Sequence, residues 1–186
     1  LRFRSPAEVS LTPAQRTTAW YFFIVAALFF VQTLLGGATA HYHAETGGFF
    51  GYDLASVLPY NLARTWHLQL GLFWVVASFL AAGIYLAPVI SGSEPRGQGV
   101  LSVTLLAALV VVVVGSLAGE AASYKGWLTG SMRPFLGAQG WEYLDLGRLW
   151  QILLIVGLVL WCAIVFRGLR PKLKVEHYGN LPYLFF

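Results

Sequence analysis

The chain has 186 residues, of which 58% are hydrophobic, 16% aromatic and 11% charged, and its net charge is +4. Soluble domains carry charge on about 25% of their residues, so this composition excludes an ordinary soluble fold and points to a membrane protein. The positive balance is read as a topology signal and carries no nucleic-acid inference.

Residues 1–16 carry Arg2, Arg4 and Arg16 among Ser, Pro and Thr, with no apolar core or small-residue cleavage site. They read as a cytoplasmic lead-in rather than a signal peptide. Ser10, Thr12 and Pro13 mark the start of a capped helix, and Trp20 to Phe23 form an aromatic group suited to a membrane interface. Four stretches free of Asp, Glu, Lys and Arg follow, at 17–40, 68–93, 97–119 and 149–166. A bilayer needs about 20 apolar residues at about 1.5 Å each. They predict transmembrane helices over about 17–42, 62–91, 98–122 and 146–168; Arg148 can snorkel from the end of the last. The first loosens at Gly36-Gly37. The aromatic, turn-rich loop between Tyr42 and Asn61 packs on the outer face, and 125–140 is a Gly-rich excursion anchored by Trp127 and Trp141. A further apolar stretch, 180–186, reads as the start of a fifth helix. With no initiating Met, the sequence is expected to be an internal piece of a longer polypeptide.

Lys and Arg counting orients the helices. With the N-terminal end cytoplasmic, that side collects Arg2, Arg4, Arg16, Arg96, Arg167, Arg170, Lys172 and Lys174, against Arg64, Lys125, Arg133 and Arg148 outside. The lone Cys162 lies inside the fourth span and reads as an inert buried thiol.

Few residues in this apolar chain can carry chemistry. His67 lies one to two turns inside the second helix, with Leu70, Gly71 and Trp74 on the same face. Gly71 leaves clearance for a flat macrocycle or for a neighbouring helix. His67 is therefore either an intramembrane haem ligand or an interhelical hydrogen-bonding histidine. His41, His43 and Glu45 stand at the outer end of the first span, where His41 and Glu45 share a face if helical turns continue. They suit a proton relay to an outer ligand, or simply mark where a helix meets water. Glu120 ends the third span, where it is expected to meet water. Glu142 caps the fourth helix against its positive dipole end or ligates a hard cation. Arg148 can pair with Asp145 or with a haem propionate.

Three strings together carry a resemblance: LLGGATAHYH at 34–43, LPYNLARTWHLQLGLFW at 58–74 and GWEYLDLGRLWQ at 140–151. From residue 4 to its end the sequence resembles quinol-dependent nitric oxide reductase, a single-chain branch of the haem-copper oxidase superfamily. The resemblance implies an all-α membrane protein: four transmembrane helices plus the start of a fifth, part of a twelve-helix bundle in the bacterial cytoplasmic membrane. It implies that His67 is an axial ligand of low-spin haem b, whose propionate is then one of the two acids that Arg148 can meet. His41, Glu45 and Phe49 would form the quinol site, and Glu142 would hold calcium. The activity implied is the denitrification step reducing two NO to N2O and water, with electrons passing from quinol through haem b to haem b3 and a non-haem iron. The ligands of haem b3 and of that iron, and the second haem b ligand, are not supplied by His41, His43 or His177. The chain is thus expected to act only with the remaining helices. Two rival readings are a self-contained haem b electron-transfer anchor, in which His41 or His43 pairs with His67, and a non-redox scaffold.

Overall fold

The computed structural model describes residues 10–46, 48–141 and 144–173. Among them, helices are the only regular elements: α1 (Pro13–His41), α2 (Tyr60–Ser91), α3 (Gln98–Tyr124), α4 (Met132–Leu136) and α5 (Arg148–Leu169), the last followed by a 3-10 turn, Arg170–Lys172. Four helices are long and apolar enough to cross a membrane, as expected of a multi-pass membrane protein. The fifth span expected near 180 lies outside the described residues.

Local chemistry sets the helix starts. Thr12 accepts a hydrogen bond from Gln15 N, and the Gln15 side chain accepts one from Thr12 N; this capping box, with Pro13 in the first turn, opens α1. The α2–α3 turn adds a second cap, because Ala14 N donates to both Glu94 carboxylate oxygens at 3.1 and 3.3 Å. Gly36 and Gly37 do not loosen α1, which continues helically to His41. Residues 125–140 contain the short helix α4, which the sequence did not predict.

The helices pack as α1 against α2, with α3 and α5 closing the other side. Apolar contact alone drives little association among lipid tails, so interhelical hydrogen bonds and small residues matter. Tyr21 OH donates to Ser102 O at 2.9 Å, Gln98 Nε2 to Ile164 O at 2.5 Å, and Gln15 Nε2 to Tyr85 O at 3.1 Å. Trp161 Nε1 donates to Leu80 O at 3.1 Å; a Cβ on Gly83, one turn on, would lie 2.7 Å from its ring. The missing Cβ exposes a helix carbonyl to a donor from the next helix. Outward faces of α1 (Phe23, Phe30, Leu34) and α5 (Ile155, Val159) remain apolar and exposed.

Candidate functional site

The second helix places His67 against α1. Its ring nitrogen Nδ1 lies 2.8 Å from the backbone carbonyl of Gln32. A carbonyl can only accept, so Nδ1 carries a hydrogen, and in the neutral ring Nε2 keeps its lone pair. The Gln32 side-chain amide also lies over the ring, its Nε2 at 3.1 Å from Nδ1 and 3.4 Å from Nε2. The approach depends on Gly36, one turn beyond Gln32, where a Cβ would sit 2.7 Å from His67 Cε1 and 3.0 Å from Nδ1. Gly71, which the sequence offered as the source of clearance, meets no more than Gln32 Nε2 at 3.9 Å. The glycine that matters to His67 is on the opposite helix.

Five residues beyond Gly36, α1 ends at His41, and one further turn carries the chain to Glu45, whose backbone N–H donates to His41 O at 3.0 Å. The two side chains therefore share a face, and His41 Nε2 lies 3.0 Å from Glu45 Oε2. The same carboxylate accepts hydrogen bonds from Phe50 N at 2.8 Å and Gly51 N at 3.1 Å. It thereby holds a tight turn in which Phe49 and Tyr52 pair through their backbones and Phe50 takes φ +50. A positive φ is rare for a bulky residue, and the anchored turn maintains it. Both phenyl rings stack on His41, with centroids at 4.5 Å for Phe49 and 4.7 Å for Phe50. The His41 hydrogen bond, then those from Gly51 and Phe50, holds the Glu45 carboxyl below the usual carboxylate range. His41, Glu45 and Phe49 are thus brought together, and Phe50 joins them. His43 points elsewhere, its ring edge-on to Tyr60.

The loop after α4 is organised by Asp145. Its Oδ1 accepts from the backbone N–H groups of Gln139, Gly140 and Trp141 at 2.6, 2.8 and 3.3 Å, and the residue is buried. Arg148 is exposed and forms no ion pair with Asp145, whose oxygen is committed to that turn. Glu142 lies outside the described residues, and among those described no group of three or more His, Cys, Asp and Glu could hold a metal ion. Glu120, expected at the water boundary, is instead fully buried and hydrogen-bonded to Gln69 of α2.

Sequence reasoning passed over Gln32, Gly36 and Gln69. Two of them carried a usable signal: a lone amide inside an apolar span has to find a partner on another helix. For Gly36 there was none, since a glycine that admits a ligand side chain and one that only packs read alike.

The sequence pattern of the family described as "Cytochrome C and Quinol oxidase polypeptide I" matches residues 16–185. The chain belongs to this family. That family is the haem-copper oxidase family, whose members use haem. It is also 26% identical, over 139 residues, to a nitric oxide reductase subunit from Stutzerimonas stutzeri. That alignment covers 73% of this chain and 28% of the relative, so the chain spans well under half the length of the protein it matches.

Proposed function

We propose that the chain forms the opening part of the catalytic core of a quinol-dependent nitric oxide reductase, with His67 as an axial ligand of low-spin haem b and His41, Glu45 and Phe49 at the quinol site. The observation that carries this reading is the arrangement along α1. Gly36 seats the His67 imidazole, and five residues later, about 7.5 Å along the axis, His41 meets Glu45.

The residues fit a haem. Nδ1–H donates to the Gln32 carbonyl, the outer hydrogen bond that fixes tautomer and ring orientation in metal-bound histidines. Gly36 seats the imidazole itself, where a Cβ would strike Cε1, and the Gln32 amide, 3.4 Å from Nε2, is the group that would swing aside for the iron. Arg148, exposed at the start of α5, is free to reach a propionate. When bound, haem b supplies one-electron transfer.

The chain's own residues supply the proton chemistry. With His41 Nε2–H donating to Glu45, its Nδ1 lone pair is left to take a proton from a quinol hydroxyl. Glu45, kept anionic, stabilises the imidazolium that forms. Phe49 and Phe50 supply flat apolar surface beside the imidazole for a quinol ring. Oxidation of one quinol releases two protons and two electrons, which match the two protons and two electrons that convert two NO to N2O and one water. The reducing centre, haem b3 with a non-haem iron, takes its ligands from the remaining helices. Glu142 is assigned to calcium within the same reading. The membrane is the bacterial cytoplasmic membrane, with the N-terminal end cytoplasmic.

The test is a reduced-minus-oxidised spectrum of the chain alone and of the chain with the downstream helices restored. Low-spin haem b in the longer protein, absent from its His67→Ala variant, is expected. Haem b in the 186 residues alone would favour the self-contained anchor, and retention in His67→Ala would overturn the ligand assignment.

A further inference from the structure

Gln69 follows His67 by two positions and so lies across α2 from it, turned toward α3 rather than α1. Its Nε2 donates to Glu120 Oε1. Gln69 and Glu120 are each 0% exposed, yet Gln69 Oε1 and Glu120 Oε2 have no hydrogen-bond partner among the described residues. Leaving a buried acceptor unmet costs about 1–3 kcal/mol, more if it is charged. Because this chain already encloses both residues, helices added around its outside do not reach them.

Turning the Gln69 amide does not cure the deficit. The other end would set its oxygen against the Glu120 oxygen, two acceptors with no hydrogen between them. In either orientation the pair is short of hydrogen. Two oxygens are also too few for a hard cation, which takes about six or more. The buried indole N–H of Trp66, one turn earlier on α2, likewise lacks an acceptor among the described residues. The Gln69–Glu120 pair itself lacks a donor hydrogen.

We propose that Gln69 and Glu120 form an enclosed proton-exchange site within the α2–α3 interface, taking a hydrogen-bond donor either as a proton on the Glu120 carboxyl or as a water molecule. Glu120 lies in the last turn of α3, whose end meets the loop after α4, outer in the proposed orientation, where Ala138 N donates to Ser123 Oγ at 3.0 Å. The outer face is therefore the side of entry. On uptake, a hydronium reaching the loop gives its proton to the Glu120 carboxylate and leaves as water; release is the reverse. The site stands independently of the assignments made for His67 and His41.

Infrared difference spectra of the purified protein in water, deuterium oxide and oxygen-18 water test it, comparing the parent with Glu120→Gln and Gln69→Leu. A carboxylic C=O band is expected that shifts down on deuteration, disappears in Glu120→Gln and moves up in Gln69→Leu. If water is the donor, an O–H stretch shifts in oxygen-18 water and vanishes in Glu120→Gln. Absence of any Glu120-dependent band of either kind overturns the proposal. Should Glu120→Gln not fold, Gln69→Leu decides alone: a carboxylic or enclosed-water band that moves or disappears supports the site, and an infrared spectrum identical to the parent's refutes it.

Discussion

Replacing Gly36 with alanine tests the seat of His67 with a single methyl group. The new Cβ would stand 2.7 Å from Cε1, whereas ordinary contact begins at 3.4 Å, so the ring must retreat by the 0.7 Å difference. If that retreat falls along the Nδ1–O direction, the 2.8 Å hydrogen bond to Gln32 stretches to about 3.5 Å, where little of it survives. Overpacking of this kind costs about 1–3 kcal/mol, and the lost hydrogen bond about 1 kcal/mol more. If His67 ligates haem b as proposed, the Nδ1–H···O bond makes the imidazole a more basic ligand, which favours ferric haem. Its loss should therefore raise the midpoint potential. Weakening by about 1 kcal/mol corresponds to about 40 mV, since about 1.4 kcal/mol is about 59 mV for a one-electron couple. Potentiometric titration of the haem spectrum in the complete enzyme measures this shift. Gly37→Ala is the control, because a Cβ there meets nothing within 4 Å. A Gly36→Ala protein with the haem content and potential of the Gly37→Ala protein would refute the seating role of Gly36.

Other perturbations separate the remaining parts. His41→Ala or Glu45→Ala should slow quinol oxidation at least tenfold, about 1.4 kcal/mol in the barrier, with haem content intact; bleaching of a haem by either change would instead support the anchor reading. Glu45 titrates below the ordinary glutamate range, chiefly through its bond to His41, so the order it gives the turn is complete at neutral pH. That order fades only as pH falls through its depressed value. Hydrogen exchange at the Phe50 and Gly51 amides, compared with nearby loop amides, reports this, and loss of their protection near neutral pH would contradict it. Tyr21→Phe removes the hydroxyl bridge from α1 to Ser102 on α3 and should lower stability by about 1 kcal/mol in a denaturation series; an unchanged midpoint would show that the bridge contributes nothing.

Composition and the spacing of charged residues determined by themselves that this is a helical membrane protein with four spanning helices among the described residues, because a bilayer forces about 20 apolar residues into each crossing and penalises charge within it. The sequence also singled out His41, Glu45 and His67, since a histidine or glutamate among so many apolar side chains is conspicuous, whereas Phe49 entered only through the family resemblance. Tertiary structure decided what those residues touch. His67 could have found its clearance at Gly71 on its own helix or at a glycine on another, and the packing of α1 on α2 chose Gly36 and the Gln32 carbonyl. Glu120, one residue past an apolar run, reads as the place where α3 meets water, yet the loop after α4 closes over the end of α3 and the carboxylate turns inward to Gln69. Phe50 looked like one more loop aromatic until the Glu45 carboxylate fixed its turn and stacked it on His41. Apolar periodicity specifies which segments enter the membrane, but polar partners across helices depend on approach distances of a few ångströms, which are fixed only once the helices are packed.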